Sequence, residues 1–218
     1  MRTGVLFSGG KDSCLALHKY GLEKVDCLLS ILPENFDSFM FHKPDLKFLK
    51  KQAEMLGKDL IIEKSKGEEN KELEDLRRLL EKSKVNKLVI GGIKSNYQGD
   101  RLKELCSKLD IELIIPLWGF TEEKLWRELF ENKFKVIITK IASEGIDKIF
   151  LGKVIDKERL DKLKNLSKKY KFSIDFEGGD AESSVLYMPG FKKEIKIELE
   201  NSYLKEKKKK FKHKTINK

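Results

Sequence analysis

The amino-acid sequence predicts an α/β fold: a parallel sheet with helices on both faces, followed by a smaller C-terminal α+β lobe. Three observations carry this. Short apolar runs rich in branched residues recur along the first half, amphipathic stretches at helical spacing separate them, and a glycine pair follows the first run directly.

Gly4-Val5-Leu6-Phe7 is the first strand and residues 13–20 the helix after it. Val25 to Leu32 is the second strand, and the helix over 45–56 places Leu46, Leu49, Ala53 and Leu56 on one face. Leu60-Ile61-Ile62, a helix over 69–82 (Leu73, Leu76, Leu79, Leu80), Leu88-Val89-Ile90, a helix over 98–108 and Leu113-Ile114-Ile115 repeat the alternation. Runs without polar alternation suit strands covered on both faces, and strand alternating with helix requires crossover connections. An α/β domain over 1–120 is therefore expected. A second lobe over 121–204 opens with a helix at 121–131 capped by Thr121 and continues through Val136-Ile137-Ile138. Asp156 caps a helix over 156–169, the Gly178-Gly179 pair marks an irregular loop, and Ser184 to Met188 and Ile195 to Leu199 are strand candidates.

The chain has 218 residues, 39% of them hydrophobic, enough for an ordinary core and too many for a disordered polymer. No apolar run approaches the roughly 18 to 20 residues of a bilayer span, and the N-terminal residues do not form a secretory signal, so a cytoplasmic protein with no membrane partner is expected. Cys14, Cys27 and Cys106 make an odd count with no Cys-x-x-Cys pair, which argues against a disulfide framework or a cysteine zinc site. Of the net charge of +10, residues 205–218 contribute +7 through eight Lys and one Glu. Basicity belongs to this tail, expected to be disordered, and nucleic-acid contact is expected only through it.

Ser8-Gly9-Gly10-Lys11-Asp12-Ser13 lies between the first strand and its helix, where open parallel sheets bind ligands. Paired glycines let backbone amides approach an anion, the helix start adds unpaired N–H groups, and Lys11 adds a mobile positive charge. The spacing is not that of G-x-x-x-x-G-K-[ST], which disfavours a γ-phosphate switch. An ordinary Gly-Gly turn, with Ser13 as a helix cap, is the bland alternative. Cys14 reads as a small buried hydrophobe, His18 as a packing or surface residue, Trp118 as a buried strand-end aromatic and Trp126 as core. Tyr97, Gln98 and Arg101 follow Gly91-Gly92 at the sheet edge that holds the loop.

Ser-Gly-Gly-x-Asp-Ser resembles the loop of the ATP pyrophosphatase (PP-loop) superfamily, which cleaves ATP between its α and β phosphates. Nearly end to end, the chain resembles the diphthine–ammonia ligase branch of that superfamily. The resemblance is carried by Met40-Phe41-His42-Lys43-Pro44, Gln52 to Gly57, Gly91-Gly92-Ile93 with Tyr97-Gln98 and Arg101, and Pro116-Leu117-Trp118. Ala142 to Gly145, Leu151-Gly152-Lys153 and Glu177-Gly178-Gly179-Asp180-Ala181-Glu182 complete it. It implies a Rossmann-like (HUP-type) sheet, ATP and Mg²⁺ as cofactors, and ATP-dependent amidation of diphthine on translation elongation factor 2 with ammonia, and it leaves a homodimer open. It also implies ATP binding by Ser8, Gly9, Gly10, Lys11, Asp12 and Ser13. Lys11, Asp12 and Glu177 would be catalytic, Asp12 would hold the metal, and Glu177, Gly178, Gly179, Asp180 and Glu182 would bind the substrate.

Asp180 stands where the family has Glu, and Tyr187-Met188 where it has Asp-Ala. Three carboxylates around a glycine turn need a positive partner, such as a trimethylammonium or Mg²⁺, with cation–π help from Phe176 and Trp118; a solvated acidic loop is the plain alternative. Two other functions share the loop: a tRNA-modifying enzyme of the thiolation or lysidine type, and a module that binds ATP without splitting it.

Overall fold

The computed structural model describes residues 1–34, 45–67, 71–92, 96–196 and 205–206, with residues 96–98 and 205–206 as backbone alone. Five strands, β1 (Thr3–Leu6), β2 (Cys27–Pro33), β3 (Asp59–Ser65), β4 (Lys87–Val89) and β5 (Glu112–Ile114), form one wholly parallel sheet in the order β3-β2-β1-β4-β5. The helices between them are α1 (Lys11–Tyr20), α2 (Leu46–Leu56), α3 (Glu72–Ser83) and α4 (Asn96–Lys108).

Chain order reverses between β1 and β4, so the crevice beyond their carboxyl ends is the topological switch point of the sheet. Both connections that border it carry glycine pairs: Gly9-Gly10 after β1 and Gly91-Gly92 after β4.

Each helix packs by the stripe that its sequence writes. Leu76, Leu79 and Leu80 of α3 and Leu102 and Cys106 of α4 close one face of the sheet together with Leu29, Leu88 and Ile90. Cys14, Leu15 and Leu17 of α1 and Leu49, Ala53 and Leu56 of α2 close the other. That second core is continuous with the C-terminal part of the chain, since it also contains Trp126, Leu129, Ile138, Leu163 and Val185.

The C-terminal part comprises α5 (Glu122–Glu131), β6 (Lys135–Ile141), α6 (Lys157–Tyr170), β7 (Ala181–Tyr187) and β8 (Lys205–Glu206). β6 pairs antiparallel with β7 and parallel with β8. Thr121 Oγ1 accepts from the Lys124 amide at 3.2 Å and Asp156 Oδ1 from the Arg159 amide at 2.8 Å, so both caps read from the sequence are made. The first two residues of the basic tail thus lie in a sheet; residues 207–218 lie outside the described residues, as does most of the strand candidate at 195–199, whose Ile195 is not in a strand. Among the described residues, no helix is long and apolar enough to cross a membrane.

Candidate functional site

The phosphate loop is shaped from three directions. Gly9 adopts φ +73°, and a Cβ built on it would lie 2.0 Å from Gln52 Oε1. Gln52 is fully buried on α2 and donates through Nε2 to the Gly9 carbonyl at 2.9 Å and the Val185 carbonyl at 2.8 Å. The Gly9 carbonyl also accepts from the Val185 amide at 3.1 Å, and the Lys11 amide donates to Ser183 Oγ at 3.3 Å. Strand β7 therefore holds the loop from the far end of the sequence. Replacing Gln52 with leucine should strand the buried Val185 carbonyl and cost about 2 kcal/mol, lowering the thermal midpoint by about 4 to 8 °C in a melting experiment.

Helix α1 starts at Lys11, two residues before the predicted position, with Gly10 as N-cap and no side-chain cap. Its first-turn amides have no partner within the helix, which is the arrangement an anion fits. Ser13 is not the cap expected from the sequence. It sits inside the first turn, where Oγ donates to the Gly10 carbonyl at 3.1 Å and accepts from the Ser8 amide at 3.3 Å, tightening the loop. Gly91 lies against this turn; a Cβ there would come within 2.8 Å of the Ser13 amide nitrogen.

Lys11 is the largest departure from expectation: its side chain is 2% exposed, not mobile. Nζ pairs with Asp12 Oδ2 at 2.7 Å and lies 5.4 Å from the centroid of the Phe176 ring. Burial of an ammonium is tolerated because a carboxylate and a ring face meet it. Asp12 Oδ1 is buried and has no hydrogen-bond partner among the described residues.

The acidic segment divides. Glu177 comes to the turn after β4: a Cβ on Gly92 would lie 1.8 Å from Glu177 Oε1. With Asp12, Gly92, Trp118, Phe120 and Asp175, Glu177 lines a cavity of about 60 Å³. Asp180 instead ties two loops, accepting from Ser143 Oγ and from the Ser173 amide at 3.1 Å, while its carbonyl accepts from the Ala142 and Ser143 amides. Glu182 pairs with Lys140 on β6, whereas its neighbour Ser183 contacts the phosphate loop, as expected for successive residues of a strand. Gly178 and Gly179 form the turn, Gly179 at φ +78°.

Sequence reasoning missed Asp175, Ser173 and Ser183. Asp175 is 4% exposed, accepts from the Glu177 amide at 3.1 Å and from Ser173 Oγ at 2.6 Å, and so fixes the turn that carries Glu177. Nothing in a lone Ile-Asp-Phe stretch signals this. Gln52 had a legible signal, a polar residue on the apolar face of α2.

The aromatic expectations need correction. Trp118 is 54% exposed because the turn after Pro116 sends Leu117 inward instead, and Lys103 Nζ lies 5.5 Å from its ring. Phe176 already has Lys11 against it, so it meets a protein cation. Trp126 is core as expected, its Nε1 donating to the Ile174 carbonyl at 3.0 Å. His18 is a packing residue that bonds Asn132 Oδ1 at 2.9 Å. Arg101 lies on α4; the side chains of Tyr97 and Gln98, and all of 40–44, lie outside the described residues.

All three cysteines are buried. Burial raises the Cys106 thiol to about 11 and the Cys14 thiol further, the latter opposed by its hydrogen bond with Ser13. The Cys27 thiol is raised by burial as well. None supplies a ready thiolate.

A parallel sheet with a glycine loop at its switch point defines an α/β protein with a Rossmann-like core, of the PP-loop kind. Residues 1–113 match the diphthamide synthase N-terminal domain and residues 121–217 the diphthamide synthase C-terminal domain. The chain belongs to the diphthamide synthase family, a family of enzymes. It is 31% identical over 223 residues to the diphthine–ammonia ligase of Mus musculus, covering 91% of this chain and 83% of that protein. Identity to the Homo sapiens protein of the same name is 30% with the same coverage. To that of Schizosaccharomyces pombe it is 34% over 212 residues, covering 87% of this chain and 35% of the longer yeast protein.

Proposed function

We propose that this protein amidates diphthine on translation elongation factor 2 with ammonia at the expense of ATP, forming diphthamide, AMP and pyrophosphate. The observation that supports this best is the cavity that Glu177 shares with Asp12 of the glycine loop, beside Gly92 at the switch point of the sheet. In this reading residues 1–120 bind the nucleotide, and residues 121–204 bring the substrate to it.

A diphthine carboxylate oxygen attacks the α-phosphorus, the bond to the β-phosphate oxygen breaks, and pyrophosphate leaves with its charge met by Lys11 and the amides of the loop from Ser8 to Ser13. Ammonia then attacks the acyl carbon, AMP departs with the carboxylate oxygen, and the nitrogen loses a proton. ATP supplies the driving force that a carboxylate and ammonium lack in water. Glu177 lines the cavity shared with Asp12 and is the carboxylate best placed to hold the cationic substrate, whereas Asp180 and Glu182 shape the surrounding loops.

Mg²⁺ fits the residues present. Asp12 Oδ1 is an orphaned buried oxygen, and no group of three or more ligating side chains occurs among the described residues. Asp12, with phosphate oxygens and water, is therefore the residue that would hold the ion. When bound, Mg²⁺ neutralises phosphate charge.

The buried cysteines and their raised thiols disfavour sulfur transfer to tRNA through this loop. Glu177→Ala should lower kcat/KM for the diphthine-bearing protein by about a hundredfold while the Kd for ATP changes less than about threefold. Titration calorimetry with ATP, set beside the amidation rate, checks this. An equal loss in both would place Glu177 in the nucleotide site instead.

A further inference from the structure

Phe176 has a backbone conformation that its side chain disfavours. Among the described residues five non-glycine positions have positive φ. Lys84 and Lys171 are the C-caps of α3 and α6, and Asp110 and Lys133 follow α4 and α5 by two residues; all four are exposed and polar. Such positions are ordinary at helix ends. Phe176 (φ 60°) ends no helix, is 3% exposed and carries a bulky ring, for which the left-handed region is a genuine outlier. Strain of this kind persists where the surroundings over-determine it, and it gathers at functional sites.

The surroundings are specific. The Phe176 amide donates to the Ser173 carbonyl at 3.1 Å, and its carbonyl accepts from the Gly179 amide at 3.1 Å. The ring stands edge to face on Trp126, with centroids 6.3 Å apart and planes at 81°. Trp126 is itself anchored to the Ile174 carbonyl. On its free side the ring meets Lys11 Nζ at 5.4 Å. A relaxed φ at this position would re-aim the ring away from that contact, while the next residue, Glu177, faces the same cavity as Asp12.

We infer that Phe176 is a positioning residue for the phosphate-loop lysine, acting through its ring on the Lys11 ammonium, and that the strained turn is kept for this purpose. The ring gives a buried cation a second partner besides Asp12, and so orders Lys11 before any nucleotide arrives. It also links the turn carrying Glu177 to the loop carrying Lys11.

The inference rests on the proposed ATP site, and its test separates the two. A trifluorinated phenylalanine installed at Phe176 keeps shape and backbone while weakening the negative ring face. ATP binding measured by calorimetry should weaken by about two- to fivefold, with the fold retained by circular dichroism. Phe176→Leu should weaken it further, and Phe176→Tyr should restore it to within about twofold of the original protein. Unchanged ATP affinity with the fluorinated ring would overturn the inference. If the unmodified protein binds no ATP, the site assignment fails, and NMR of the Lys11 side chain decides the positioning role by itself. Its Cε proton signals should be shifted upfield by the ring and lose that shift in Phe176→Leu; an unshifted signal in the unmodified protein would overturn the inference.

Discussion

Lys11→Ala is expected to reduce ATP-dependent amidation by at least about a hundredfold while leaving the fold intact. The side chain is the cation of the glycine loop, held by Asp12 at 2.7 Å and by the Phe176 ring, and in the proposed reaction it is the side-chain cation that meets departing pyrophosphate. Removing a preorganised charge partner in a water-poor site typically costs a hundred- to a thousandfold in rate. Because the variant also leaves Asp12 without its cation, its affinity for ATP should fall as well. Initial rates of AMP formation, with circular dichroism to confirm folding, check this. Full turnover in Lys11→Ala would remove the loop from the chemistry.

Gly9→Ala should disable the protein by a different route. Its Cβ would need to occupy a point 2.0 Å from Gln52 Oε1, at φ +73°. Gln52 cannot swing away cheaply, since its amide nitrogen is committed to two carbonyls and the side chain is fully buried. Backbone strain of about 1 to 3 kcal/mol adds to the lost hydrogen bonds of about 1 kcal/mol each. A loss of about 3 kcal/mol in urea unfolding, together with ATP binding weakened by at least about tenfold, is the expected result. Both variants should lose stability, Lys11→Ala because it leaves Asp12 unpaired beside an emptied buried space, but only Gly9→Ala should distort the loop backbone, so the pair separates the loop's charge from its shape.

The parallel sheet and its loop were legible because their determinants are local. An apolar run, a glycine pair and an amphipathic helix in succession leave few alternatives, and the caps at Thr121 and Asp156 depend on neighbours three residues away. What could not be read depends on residues distant in sequence. Ser183 and Val185 reach the loop only because β7 folds back onto it, and Glu177 reaches Gly92 through a turn that Asp175 fixes. The burial of Lys11 follows from Phe176, whose φ no sequence pattern announces. Trp118 misled because a large aromatic after proline is ordinarily core, whereas here the turn gives the inward position to Leu117. The acidic segment looked like one cluster; strand alternation and a loop clamp sent Glu182 and Asp180 to other partners.

Amidation of diphthine is the activity that decides the assignment. Diphthine-bearing elongation factor 2 should be incubated with the protein, ATP, Mg²⁺ and ammonium and analysed by intact-peptide mass spectrometry, beside mixtures lacking each component. Conversion of the diphthine carboxylate to an amide in the complete mixture alone, with AMP formed in equal amount, is the predicted result. An unchanged carboxylate in the complete mixture, or amide formed without ATP, would contradict it.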